Sequence, residues 1–258
     1  MKIKNILTYA TLFTSACSRV SLPIIPRLRN STPSNRLDSS LVEGLSGNSS
    51  HSTLSSNWAG AILTTPPAGS TFTGVSARFT IPTPKVNGAA SAWVGIDGDT
   101  YAAAILQTGI DFMVVNGILA YKAWYEWYPD YAYDFTDFKM SPGDVINISV
   151  AASSSSAGTA IIENVTTRQK VTKALTAPTP NSNLAGQNAE WIIEDFQQDG
   201  ALVPLTNFGT VSFTNSMATT SAGKQVDTTG AQILDIQQGR NVLTSSSASG
   251  STVTVSHK

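Results

Sequence analysis

AEWIIEDF, residues 189–196, is a short β-prone run in which apolar residues alternate with acids. Side chains alternate along a strand, so Glu190, Ile192 and Glu194 would share one face and Trp191, Ile193 and Asp195 the other. Ordinary buried strands avoid carboxylates, because an unpaired buried charge is costly. The fold therefore turns on how many such strands surround this one, and on what the acidic face looks at.

The surrounding chain reads as strand after strand. TFTGVSARFTIP, ASAWVGID, AAILQTGIDFMVV, ILAYKAWYEWYP, DVINISVAAS, GTAIIENVTT, QKVTKALT, GTVSFTNSMA, QILDIQQ and STVTVSH are candidates. The breaks between them include PTP, NG, SPGD, SSSSAG and SSSASGS. No long stretch sustains helical periodicity. Many short strands without intervening helices predict an all-β antiparallel sandwich or barrel, and 258 residues suit one such domain.

Composition narrows the functional classes. The net charge is −1, so binding of nucleic acid through a basic surface has no support. Cys17 is the single cysteine, and His51 and His257 are the two histidines. No His or Cys falls between residues 58 and 256, which excludes a Ser–His–Asp triad, a Cys–His pair and a His-bound zinc in that region. Catalysis, if present, must use carboxylates, amides, hydroxyls or lysine.

The N-terminus reads as a secretory signal over residues 1–17. Lys2 and Lys4 precede the short apolar ILTYATLFTSA, which is too short to span a membrane. A lipid anchor at Cys17 is disfavoured because Thr14 replaces the leucine-like residue of a lipobox. Residues 18–52 are Pro- and Arg-rich and then Ser/Gly-rich, carrying Arg19, Arg27, Arg29 and Arg36 against Asp38 and Glu43. From Thr53 onward fifteen acids face ten bases. A basic leader before an acidic domain suggests a propeptide lying over an acidic groove in a secreted, extracellular monomer. On charge alone, that attraction should fade as the groove carboxylates protonate. Asn147 and Asn164 head glycosylation sequons.

Strand alternation also gathers candidates for chemistry. Trp93, Gly95 and Asp97 share a face, as do Ile105, Gln107, Gly109 and Asp111, and as do Lys122, Trp124, Glu126 and Tyr128. Such a surface is either a groove with aromatic walls and a polar floor or a solvated outer face.

The motifs SNWAGAIL, AWVGIDGDT, AILQTGIDF, AWYEWYP, AEWIIEDF and AQILDI occur in this order over nearly the whole chain after the linker. In these the chain resembles the eqolisin glutamic peptidases. The resemblance implies a β-sandwich of two curved antiparallel sheets, concanavalin-like in architecture, over residues 53–258. It implies a pepstatin-insensitive endopeptidase acting on polypeptides at acid pH, and a basic propeptide that is removed on activation. It assigns Gln107 and Glu194 as the catalytic pair, with Trp93, Asp97, Trp124 and Glu126 in support. Glu190 would be a rim or support residue, about 13 Å along the strand from Glu194.

Two alternatives stay open at this level. A lectin-like sandwich could bind sugars through Trp93, Trp124 and Trp127. A glycoside hydrolase would instead need a second carboxylate opposite Glu194. Two residues depart from the family pattern. Tyr101 stands where family members carry a cysteine, and Lys122 replaces an aspartate beside AWYEW; either its cation lies near Glu194 and lowers that pKa, or it turns to solvent or pairs with Glu126 and bears on substrate choice at most.

Overall fold

The structure is a computed structural model that describes residues 29–37 and 52–258. The expected signal peptide, Cys17, His51 and most of the expected propeptide lie outside the described residues. Within them every regular element is a strand, and the strands form two large stacked sheets and one small three-stranded sheet of Arg29–Asn30, Gln197–Gln198 and Ala201–Leu202. All-β architecture is thus as the short, turn-bounded runs predict.

The nine-stranded sheet runs in the order Asn241–Val242, Gln232–Gln238, Trp58–Leu63, Ala189–Glu194, Gly88–Ile96, Ile105–Val115, Ile118–Tyr128 and Tyr133–Asp134. Thr53–Ser55 adds to Gln232–Gln238 in parallel, while the other pairs in this sheet are antiparallel. The eight-stranded sheet runs Gln169–Thr176, Ala157–Asn164, Val145–Ser154, Phe72–Thr80, Thr210–Thr220, Thr252–His257 and Thr244–Ser249, with Gln225–Val226 beside Thr210–Thr220. Asn116 and Gly117, both with positive φ, make the two-residue turn between the longest paired strands. A turn of that kind matches the right-handed twist of the strands it joins.

Phe79, Phe112, Trp127, Ile148, Ile162, Trp191 and Phe213 fill the space between the sheets. Alternation decides which side chains enter it. Trp191 and Ile193 point into this core, while Ile192 joins Trp58, Ile62, Trp93, Ile105, Trp124 and Leu234 on the opposite face of the same sheet. The nine-stranded sheet is therefore buried on both faces along Ala189–Glu194, where every residue is buried. Of the two sequon asparagines, Asn164 is itself buried and gives its side-chain amide to Asp144 and to the Lys139 carbonyl, whereas Asn147 is half-buried.

Two strands of six residues escaped the reading of the sequence, besides the short ones of two or three residues. Thr244–Ser249 is nearly all Ser and Ala, yet it pairs along its full length with Thr252–His257. Trp58–Leu63 contains a glycine that reads as a breaker, but Gly60 is there for room. Its φ is +141°, and a Cβ would lie 2.1 Å from the Trp191 carbonyl oxygen. Gly60→Ala should therefore cost about 3 kcal/mol or more in unfolding free energy. The expected readout is a lower urea midpoint at unchanged slope; a midpoint equal to wild type would mean that the strand can shift aside.

Candidate active site

The register of four adjacent strands lays the candidate residues out as a grid. Glu190 pairs with Gly95, Gly95 with Gln107, and Gln107 with Glu126. One side-chain row along, Ile192, Trp93, Gly109 and Trp124 stand opposite one another in turn. In the next row come Glu194, Ser91, Asp111 and Lys122. Strand alternation thus brings Gln107, Glu126, Glu190, Glu194, Trp93 and Trp124 to one face, and the first five of these together with Trp124 are wholly buried.

Two glycines allow the middle row to lie down. A Cβ on Gly109 would sit 2.5 Å from Trp93 Cβ, and one on Gly95 would sit 2.8 Å from Trp93 Cζ3. The Trp93 indole therefore crosses the face from one acid row to the other. Its Nε1–H donates to Glu194 Oε2 at 3.1 Å, and its ring meets Trp58 edge-on at 4.8 Å between centroids. Trp124 donates its Nε1–H to Ser91 Oγ at 3.0 Å. Both rings are fixed by hydrogen bonds as well as by packing.

Asp97 lies just beyond the end of Gly88–Ile96 with φ of +67°. It is a support for the site from below. Its carboxylate accepts the backbone N–H groups of Ala185, Gly186, Gln187 and Asn188, the loop that leads into Glu190 and Glu194. Burial nevertheless keeps its pKa above the ordinary aspartate value, with those four N–H groups acting in the opposite direction.

The groove is filled by the chain's own leader. Arg29 is buried, its guanidinium forming an ion pair with Asp111 at 2.8 Å and reaching Glu126 at 3.6 Å. The same group stacks over Trp124 at 3.8 Å and Phe196 at 4.5 Å from the ring centroids. Ser31 N–H donates to Glu126 Oε2, and Thr32 N–H donates to Glu194 Oε1, each at 3.3 Å. Asn57 anchors Asn35 and the Thr32–Pro33 backbone, and Arg36 pairs with Asp99. Arg29–Asn30 also pairs as a strand with Gln197–Gln198, directly after the Glu194 strand.

This cover sets the electrostatics. Burial holds Asp111 above, and Glu126 well above, its ordinary value, against the opposing pull of Arg29. Burial also raises Glu194 to about 7, again against Arg29 and the Ser31 and Thr32 contacts. Glu190 is pushed well above the carboxylate range by burial first, then by Asp97 and Asp99. The adjacent Asp195 is raised to about 7 for the same first reason.

Lys122 stands apart from this cluster. Its ammonium pairs with Asp134 Oδ2 at 2.7 Å, both side chains being exposed, and it is not among the charges that act most on Glu194. Glu190, read from the sequence as a rim or support residue, is not at a rim, since it has no exposed surface. Asp111 was visible by alternation but carried no assigned role. Ser91, Phe196 and Asn57 gave no signal, because their importance comes from strands distant in the chain. Among the described residues no three His, Cys, Asp or Glu side chains are grouped to hold a metal ion. An open surface cleft lies away from this face, between Leu63, Phe72, Met217 and Val226.

The fold is thus a two-sheet β-sandwich that gathers four buried carboxyls and one buried amide on a single face. The Peptidase A4 family model matches residues 56–257, and the chain belongs to this family, the eqolisin glutamic peptidases. It is 45% identical to aspergillopepsin-2 of Aspergillus niger over 225 residues, 79% of this chain and 78% of that protein. It is 42% identical to scytalidopepsin B of Scytalidium lignicola over 219 residues, 81% of each. The crystal structure of scytalido-glutamic peptidase with a transition state analog inhibitor matches with a TM-score of 0.72 at 42% identity, covering 79% of this chain and 98% of that one. Aspergilloglutamic peptidase from Aspergillus niger matches with a TM-score of 0.63 at 51% identity, over 66% and 99%. The lectin-like and glycosidase alternatives give way to a peptidase.

The Asp97 anchor offers a direct check on how the site is built. Asp97→Ala leaves four backbone donors without their acceptor, at a cost of about 3 kcal/mol or more. Amide exchange at residues 185–188 should accelerate along with the fall in stability. Unchanged exchange there would mean that the loop holds itself.

Proposed function

We propose that this peptidase is a secreted endopeptidase acting at acid pH, in which Glu194 is the general base and Gln107 stabilises the oxyanion. Supporting this, Glu194 is held by Trp93 through one oxygen while its other oxygen meets a main-chain N–H of the leader. A polypeptide backbone is thus already accommodated at the proposed base, and this single contact carries the reading.

The chemistry then runs through the chain's own groups. Ionised Glu194 removes a proton from a water molecule as its oxygen attacks the scissile carbonyl carbon. The carbonyl oxygen becomes an oxyanion, toward which the Gln107 amide donates. Glu194 returns the proton to the amide nitrogen, the C–N bond breaks, and the carboxylate base is regenerated. An exposed glutamate near its ordinary pKa of about 4.3 is poised for this in the acid range. Trp93 aligns the base, Asp97 fixes the loop that carries its strand, and Trp124 with Glu126 shapes the adjoining cation cradle.

Glu194→Gln and Gln107→Ala should each lower turnover by about a hundredfold or more while circular dichroism stays native. Near-normal turnover by either folded variant would dismiss the pair.

The leader contacts support reading residues 18–52 as a propeptide that keeps the enzyme latent. Charge alone predicts that acid loosens it, but burial reverses the sign. Each interaction that Arg29, Ser31 and Thr32 make with the groove favours ionised carboxyls, yet desolvation is the larger effect at Asp111, Glu126 and Glu194. With the leader gone, water returns and Glu194 falls back toward its ordinary value. A group whose pKa is higher in the covered than in the open groove favours covering when protonated. That contribution is complete below the open-groove pKa and is lost as pH rises through about 7. Acid then activates by permitting cleavage of the leader rather than by expelling it intact.

A synthetic peptide of residues 29–37 should therefore inhibit the processed enzyme more tightly at pH 5 than at pH 8, with proton uptake seen by calorimetry in two buffers. Arg29→Ala in that peptide should weaken it at least about tenfold, since two buried carboxyls lose their cation. Weaker inhibition at pH 5 would show that charge attraction outweighs burial.

A further inference from the structure

Glu190 is the buried titratable group that the mechanism leaves without work. It has no exposed surface, and neither carboxyl oxygen has a hydrogen-bond partner among the described residues. The Gln107 amide is in the same position, with both Oε1 and Nε2 buried and without a partner. Buried polar groups are seldom left so, and each such case calls for a reason. Here the two orphans face the same spot. They stand on either side of Gly95 in one row of the sheet, and the position of a Gly95 Cβ lies 3.2 Å from Glu190 Oε2 and 3.3 Å from Gln107 Cβ. Gly95 itself puts no side chain between them, and the edge of the Trp93 ring shares this space, its Cζ3 lying 2.8 Å from the same point.

A glutamine amide has two orientations that differ by exchange of oxygen and nitrogen, and only its surroundings choose between them. Stabilising an oxyanion requires Nε2, not Oε1, to face the substrate. We propose that Glu190 is a positioning residue, whose carboxyl engages Gln107 Oε1 through one water and so turns Nε2–H toward the scissile carbonyl. The inference rests on the reading of Gln107 as the oxyanion donor.

The sign of the charge matters. An ionised carboxylate only accepts hydrogen bonds, so it would turn the water's hydrogen to itself, leave the water oxygen to draw Nε2, and present the wrong atom to substrate. A protonated carboxyl gives its O–H to the water oxygen, whose own hydrogen then reaches Oε1. Burial, reinforced by the Asp97 and Asp99 carboxylates, favours that protonated form. Asp97 thereby contributes twice, by holding the loop and by helping keep Glu190 neutral.

Three variants test this in the full chain, each precursor being processed by immobilised wild-type enzyme that is then removed. Glu190→Gln keeps a donor of similar shape and should retain kcat within about fivefold. Glu190→Leu removes the donor at similar volume. It should lower kcat by about 10- to 100-fold with little change in KM, the scale on which supporting partners act. Its stability should hold or rise, because an orphaned polar group has gone. Wild-type kcat in folded Glu190→Leu would overturn the proposal. So would Glu190→Gln that is impaired a hundredfold, since that would require an ionised carboxylate, and this second variant decides the matter if the leucine does not fold. Glu194→Gln, assayed alongside, separates the two readings. If it turns over normally the catalytic pair itself is wrong, whereas an inactive Glu194→Gln beside a fully active Glu190→Leu removes only the role given to Glu190.

Discussion

A carboxyl that is removed from water must be paired, hydrogen-bonded or protonated, and this sheet carries four of them on one covered face. Asp111, Glu126, Glu190 and Glu194 are all buried, within a patch that spans four adjacent strands. Each is resolved differently. Asp111 takes the Arg29 guanidinium, Glu126 shares that cation and a backbone N–H, Glu194 takes an indole and a backbone N–H, and Glu190 is left to protonation. The aromatic floor, the glycines under it and the position of the leader all follow from accommodating these acids.

The same arrangement is held mainly by the sheet. With residues 29–37 in place, burial raises Glu194 to about 7 and one of its oxygens meets the Thr32 N–H. Trp124 and Asp97 are fixed by bonds that do not involve residues 29–37. Sites built on strands gain precision in this way, because the sheet register sets the spacing of the side chains.

Tyr101 and Lys122 have local partners. The Tyr101 hydroxyl donates to the Asn183 carbonyl at 3.0 Å, joining residues 82 apart in the chain. Lys122 points to the exposed edge of the sheet, where its ammonium pairs with Asp134. An exposed pair of this kind is worth little to stability.

Local pattern by itself determined the all-β class, most of the strands and the face on which Gln107, Glu126, Glu190 and Glu194 stand, because a period of two needs no partner to be read. Motif order added the family, and with it a catalytic pair. Trp58–Leu63 and Thr244–Ser249 were not legible, since a glycine or a run of serines becomes a strand only when a neighbour supplies the hydrogen bonds. Only the tertiary structure decided the rest. Which acids share one cation, which glycine clears space for an indole, where Lys122 sends its charge and what covers the groove all depend on residues far apart in the chain. Burial, the largest influence on the pKa values of Asp111, Glu126, Glu190 and Glu194, is a property of the assembled sheets and not of any one strand.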